Sequence, residues 1–158
     1  DVVRFVEQVR KNRPGIVLGA DFISGFPTEN CEAHLSSLNL INDLEICWGH
    51  IFPYSPRNGS PAAKMPQIES KLRKDRAKEL RIACNKNSKS WMKSQVGSIA
   101  NVLMESGNSG RCEYFSTVKT NSIFQRGTIQ KLKINKMNHD SLQGVSIENH
   151  QKEIYELV

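Results

Sequence analysis

Long hydrophobic runs are missing. No apolar stretch of the 158 residues approaches the roughly 20 that a membrane-spanning helix needs, and no secretory signal opens the chain. A cytoplasmic location is the expectation, with no membrane partner. Cysteine is scarce: Cys31, Cys47, Cys84 and Cys112 lie far apart with no CxxC pair, which argues against a zinc site. Two of them sit among apolar residues, and all four are expected as reduced thiols. The histidines (His34, His50, His139, His150) are scattered, and none stands beside a candidate nucleophile. GxSxG, HExxH and Walker A sequences are absent, so the local signatures of serine hydrolases, zinc proteases and P-loop enzymes are missing. No internal repeat or low-complexity tract is visible. The first residue is Asp1 rather than Met, from which a processed product or a fragment is expected.

Composition is that of a globular chain, 38% hydrophobic and 24% charged, long enough for one ordinary domain or two small ones. The net charge of +6 is unevenly placed. Residues 1–56 hold four Lys/Arg against seven Asp/Glu; residues 57–93 hold eleven against three; residues 94–158 hold seven against six. A concentrated basic block suggests a polyanion partner, most plausibly nucleic acid. A solvated helix face rich in lysine explains the same charge equally well.

The chain centres on GADFISGFPTE, residues 19–29. An apolar run at 16–24 predicts a buried strand, Gly25 and Pro27 end it, and Thr28, as N-cap, starts a helix with Glu29 and Glu32 in its first turn. Such junctions line the ligand crevice in parallel α/β sheets. Every α/β domain needs several of them, however, and the turn alone favours no ligand. Asp21, read as buried in the strand, either orders a neighbouring loop or contacts a ligand; ordering is the favoured role.

Elsewhere, residues 1–12 read as a helix with Val2, Phe5, Val6 and Val9 on its inward stripe, stopped by Pro14-Gly15. The helix after Thr28 runs to about Asn42, with Cys31, Leu35, Leu38 and Ile41 or Asn42 facing inward. Residues 45–52 alternate as a second strand, in which His50 reads as a satisfied structural histidine. The loop FPYSPRNGSPAAKMP carries four prolines and admits neither helix nor strand. Residues 67–94 read as a long basic helix with a sparse apolar stripe (Ile68, Leu72, Leu80, Cys84, Trp91). Four strand-like runs follow, at 99–104, 112–118, 128–134 and 141–147, separated by turns at 106–110 and 135–140. Their spacing predicts a small antiparallel barrel of a kind that commonly binds RNA. Residues 149–158 are expected as a helical tail.

GADFISGFPTE, a helix, HIFPYSPRNGSPAAKMPQ and then a Lys/Arg-rich helix together resemble the C-terminal part of the radical-SAM methylthiotransferases. Gly19-Ala20-Asp21 before FISGFP is more similar to the tRNA threonylcarbamoyladenosine (MtaB) type than to the isopentenyladenosine or ribosomal-protein types. The resemblance runs from about residue 1 to 95. Beyond it, VGSIANVLMES and GRCEYFSTVK are similar to the family's TRAM domain, an RNA-binding β-barrel. The resemblance implies an α/β part, the last βα units of a radical-SAM partial (βα) barrel, over 1–66. A basic connecting helix follows at 67–95, a TRAM-like antiparallel barrel at 96–148 and a tail at 149–158.

The function implied is methylthio transfer to the adenosine next to the tRNA anticodon, with S-adenosylmethionine and 4Fe-4S clusters as cofactors. The resemblance places Asp21, Ile23, Gly25, Phe26, Pro27, Phe52 and Tyr54 at the cofactor, Gly25 through close approach of its backbone. For tRNA contact the candidates are Lys71, Arg73, Lys74, Arg76 and Lys78 on the helix, with Lys119 and Arg126 in the barrel. The family holds its radical cluster with CxxxCxxC, and this chain contains none. The expectation is therefore an inactive C-terminal portion lacking an N-terminal half, with a strand edge and an apolar face left open. A stand-alone RNA-binding module and the remnant of a broken gene are the competing readings.

Overall fold

The computed structural model describes residues 1–147, so the expected tail at 149–158 lies outside the described residues. Two compact units are present, Asp1–Ser88 and a second from Lys89 onward.

The first unit is a βαβ arrangement with two further helices. Helix α1 (Val2–Asn12) ends where Gly15 takes a positive φ of 82°. Strand β1 (Gly19–Ser24), helix α2 (Cys31–Asp43) and strand β2 (Trp48–Pro53) follow, and β1 pairs with β2 in parallel from Gly19↔Trp48 to Ser24↔Pro53. The 25-residue helix α3 (Ser70–Ser94) comes after the proline loop. The core gathers Val6, Ile41, Leu44, Ile46, Ile51, Ala77, Leu80 and Cys84, with Ala20 and Phe22 packed against it. Helix α3 can lie close on β2 because Gly49 has no side chain; a Cβ there would meet Cys84 Sγ and Cβ. One sheet face is thus covered, and the other carries Asp21, Ile23, His50 and Phe52, all exposed.

Several expectations are corrected. The α2 N-cap is Asn30, whose side chain accepts from Ala33 N–H at 2.8 Å, rather than Thr28. Asparagine offers an acceptor two residues later, and Phe26 O is already occupied by Glu29 N–H in the intervening turn. On α2, Ile41 and Leu38 face the core as expected, but His34 is buried with them and Cys31 and Leu35 are exposed. On α1 only Val6 is buried, and Val2 and Phe5 stand in solvent because nothing among the described residues covers them. Asp21 is exposed, not buried, since the odd-numbered residues of β1 point to the open face. The proline loop does hold a 3₁₀ turn, Pro61–Lys64, capped by Ser60 Oγ; proline at the first position needs no partner for its missing N–H.

The second unit is a closed barrel of β3 (Ile99–Ser106), β4 (Ser109–Cys112), β5 (Thr117–Lys119), β6 (Ile129–Asn138) and β7 (Ser141–Ser146), in the order β3-β4-β5-β7-β6. Its interior is filled by Val102, Met104, Cys112, Val118, Leu132, Ile134 and Leu142, joined by Met92 from the end of α3. The expected antiparallel barrel is corrected: β5 and β7 pair in parallel. Five strands cannot alternate direction around a closed ring, so one seam must be parallel. The run 112–118, read as one strand, is two strands joined by a tight turn with Phe115 at φ 63°. Residues 135–138, read as a turn, continue β6 past a bulge between Ile134 and Lys136.

Leu132 is 0% and Ile23 64% exposed. Leu132→Ala should cost about 2–5 kcal/mol by opening a cavity in the barrel, whereas Ile23→Ala should stay within about 0.5 kcal/mol. Urea unfolding followed by circular dichroism measures both.

Candidate functional site

The carboxyl ends of β1 and β2 meet the first turns of α3. Ser24 is fully buried and its carbonyl accepts Tyr54 N–H at 2.7 Å, closing the strand ends together. Gly25 follows with φ 78°, a conformation that favours glycine. A Cβ there would lie 2.8 Å from Arg73 Cβ and 3.0 Å from Arg73 Cα. The space gained by glycine is therefore filled by α3, not left open for a ligand as the sequence suggested.

Glu29 gathers this junction. Its Oε2 accepts Gly25 N–H at 3.0 Å, and its Oε1 accepts Arg76 Nη1 at 2.9 Å. Arg76 also donates to the Glu29 carbonyl at 2.8 Å, and both side chains are nearly buried, 6% and 11% exposed. His34 Nε2 meets Glu79 Oε2 at 2.6 Å on the neighbouring face. Arg73 donates to Tyr54 O at 2.7 Å, and the Phe26 and Tyr54 rings meet edge to face at 5.2 Å.

Beside Tyr54 lies an open pocket of about 260 Å³ lined by Pro53, Tyr54, Ser55, Pro56, Ser70, Arg73 and Lys74. The Tyr54 hydroxyl and Arg73 Nε are buried without a partner. The structure thus brings Gly25, Phe26, Tyr54, Arg73 and Lys74 into one neighbourhood, with Pro27 half-buried at its edge. Asp21, Ile23 and Phe52 lie on the open sheet face, where Ile23 is directly opposite Phe52 and Asp21 opposite His50. His50 is 75% exposed with Nδ1 3.7 Å from Asp21 Oδ1, so it is no satisfied core histidine.

The basic residues of α3 divide. Lys71, Lys74 and Lys78 are exposed at helical spacings of three and four, which puts them on one face. Arg76 is withdrawn from that set by Glu29, and Arg73 is partly committed to Tyr54. Arg81 likewise donates to Ile51 O. In the barrel, Lys119 and Arg126 are both exposed. A buried arginine in a Lys/Arg-rich helix could have been recognised only by pairing it with Glu29, 47 residues away.

The cysteines do not suit an iron–sulfur cluster. Among the described residues no three His, Cys, Asp or Glu side chains converge as a metal site. Burial pushes the Cys47 thiol up to about 11, and raises Cys84 and Cys112 as well; a cluster needs thiolates. On the open sheet face, Ile23 and Phe52 form an exposed apolar pair, and Asp21 stands beside it with His50 Nδ1 3.7 Å from its Oδ1.

No protein-family model matches the chain. Comparison with curated proteins is more informative. The chain is 38% identical over 133 residues to the threonylcarbamoyladenosine tRNA methylthiotransferase MtaB of Rickettsia prowazekii (strain Madrid E), covering 84% of this chain and 32% of that protein. The chain belongs to the radical-SAM methylthiotransferase family. It is also 36% identical over 103 residues to a tRNA-2-methylthio-N(6)-dimethylallyladenosine synthase of Paracoccus denitrificans (strain Pd 1222), covering 65% of this chain and 23% of that protein. Its counterpart in Buchnera aphidicola subsp. Baizongia pistaciae (strain Bp) is 34% identical over 149 residues, covering 88% and 33%. The chain therefore spans about a third or less of the length of the relatives it matches.

Two outcomes test the site. Arg76→Ala leaves the Glu29 carboxylate buried without its cation and should cost about 3–5 kcal/mol, whereas exposed Lys74→Ala should be near neutral in urea unfolding. Cys31 is the exposed thiol, so titration of the native chain with Ellman's reagent at pH 8 should show one fast thiol. Thiolate is the reactive form, and Cys47 stays protonated until pH nears about 11; the slow thiols should react together only on unfolding.

Proposed function

We propose that the chain is the C-terminal piece of a tRNA methylthiotransferase of the threonylcarbamoyladenosine type. Its β1–β2 unit would be the last part of a partial (βα) barrel, and its closed five-stranded barrel the TRAM-like RNA-binding module. The observation that carries this reading is the 38% identity to MtaB across 84% of the chain. The open sheet face agrees with it. Parallel strands are ordinarily covered on both faces, and here Ile23 and Phe52 stand 64% and 54% exposed. Further strands of the parent protein would close that face into a barrel lumen.

In such enzymes S-adenosylmethionine and 4Fe-4S clusters supply the radical and methyl-transfer chemistry. Within this chain, Ile23 and Phe52 would seat the adenosyl group, Asp21 would accept a hydrogen bond from it, and Phe26, Pro27 and Tyr54 would shape the rim. The cluster ligands would come from the remaining part of the parent, so the piece alone transfers nothing. Binding of tRNA near the anticodon would fall to Lys71, Lys74 and Lys78 with Lys119 and Arg126, in the cytoplasm; no helix among the described residues is long and apolar enough to cross a membrane. The dimethylallyladenosine type is the second reading, favoured by the names of the relatives from Paracoccus and Buchnera. Mass spectrometry of tRNA nucleosides from cells lacking the gene separates the two. Loss of the methylthio group from threonylcarbamoyladenosine is expected, and loss from dimethylallyladenosine would replace the first reading with the second.

Binding of the chain to bulk tRNA across a salt series, with duplex DNA as control, tests the RNA role. Each phosphate contact contributes about 0.7 to the log–log salt slope on single strands. Replacing Lys71, Lys74 and Lys78 together by Gln should flatten the slope by about 2 at most. An unchanged slope would make these lysines a solvated face.

A further inference from the structure

The turn between β4 and β5 holds an aromatic ring where folding gives no reason for one. Phe115 has φ 63°, a left-handed conformation that bulky residues avoid, and its side chain is 72% exposed. Neither strain relief nor burial accounts for phenylalanine there; glycine or asparagine would make the same turn more easily. The turn itself is firmly held. Phe115 N–H donates to Cys112 O at 2.9 Å, Cys112 N–H to Ser116 O at 3.0 Å, and Arg111 Nη1 to Phe115 O at 3.3 Å. A strained residue kept by an over-determined turn points to a use for the side chain.

The strands beside it form a continuous outer face. Ile129, Leu103, Arg111 and Thr117 lie in one row across β6, β3, β4 and β5 through successive registers. Lys131 lies opposite Asn101, and Lys119 opposite Ser109, on the same side. These residues face outward, because their neighbours Val102, Cys112, Val118 and Leu132 fill the barrel. The carboxylates on this face are engaged: Glu113 accepts from Asn101 N–H and its amide, and Glu105 pairs with Arg111 at 3.3 Å. Lys119 and Lys131 remain exposed cations on the face.

We propose that Phe115 is a stacking platform for an unpaired base of single-stranded RNA, with Lys119 and Lys131 meeting the neighbouring phosphates. This rests on the reading of the barrel as an RNA-binding module and gives that module a specific site. An aromatic ring flanked by cations is the combination that holds single strands without reading sequence. A ring with exposed faces also suits an unstacked base better than a duplex, whose bases are covered.

The test uses the whole chain and a fluorescently labelled uridine oligonucleotide of about ten residues, within the span that small barrels bind. An RNA duplex and polyglutamate serve as controls. Phe115→Asn removes the ring but tolerates the left-handed backbone, so its melting temperature should equal or exceed that of the parent chain. Its affinity for the oligonucleotide should fall about fivefold or more, the lower end of what one stacked base contributes. The salt slope should not change, because no phosphate contact is lost. Phe115→Trp should keep the affinity, and oligonucleotide binding should quench the added indole. Phe115→Asn binding within twofold of the parent chain, or an unquenched indole, would overturn the stacking site while leaving the RNA role standing. Absence of salt-dependent binding to any RNA by the parent chain would overturn both, and tighter binding to polyglutamate would replace RNA with an acidic protein surface.

Discussion

The Arg76 guanidinium against the Glu29 carboxylate is the contact on which the geometry of the first unit depends. One oxygen of Glu29 takes the Gly25 amide and the other takes Arg76, which also reaches the Glu29 carbonyl. The end of β1, the approach to α2 and the second turn of α3 therefore meet at one nearly buried carboxylate. Removing charge from water is expensive unless the partner is close and the remaining lone pairs are used, and both conditions hold here. With Arg76 fixed, Arg73 is carried over Gly25 and onto the Tyr54 carbonyl. The glycine and the pocket wall follow from that docking.

The second constraint is the unsatisfied side of the sheet. Helix α3 covers β1 and β2 on one side closely enough to require Gly49. The opposite side presents Ile23 against Phe52 and Asp21 against His50 across the parallel register. A two-stranded parallel sheet with one bare face gains little from its own burial. The chain spans about a third of the length of the relatives it matches.

The barrel obeys a different logic. Ring closure with five strands forces one parallel seam, and β5, only three residues long, takes it beside β7. The short strand leaves room for the tight Cys112–Ser116 turn that displays Phe115. Basic side chains on β5 and β6 face outward, while Val102, Met104, Val118, Leu132, Ile134 and Leu142 fill the interior, with Ser116, Thr120 and Ser141 also buried.

Much of this was legible along the chain. The helix–strand–helix–strand rhythm of the first 53 residues, the long basic helix and the short strands of a barrel all follow from local periodicity, which backbone geometry turns directly into elements. The family was legible as a resemblance carried by two motifs, GADFISGFPTE and HIFPYSPRNGSPAAKMPQ. What periodicity could not decide was which way a side chain faces once elements dock. Asp21 looked buried because its neighbours are apolar, yet strand alternation put it on the face with no cover. Arg76 looked like one more cation of a basic helix, yet a glutamate 47 residues away buries it. The turn that splits residues 112–118 was hidden because phenylalanine carries no turn signal. The sequence by itself determined the elements, the charge of α3 and the family, since these rest on neighbours within a few residues. Only the tertiary structure decided which charges are spent on the fold and which remain for a partner, because a charge finds its counter-ion through space.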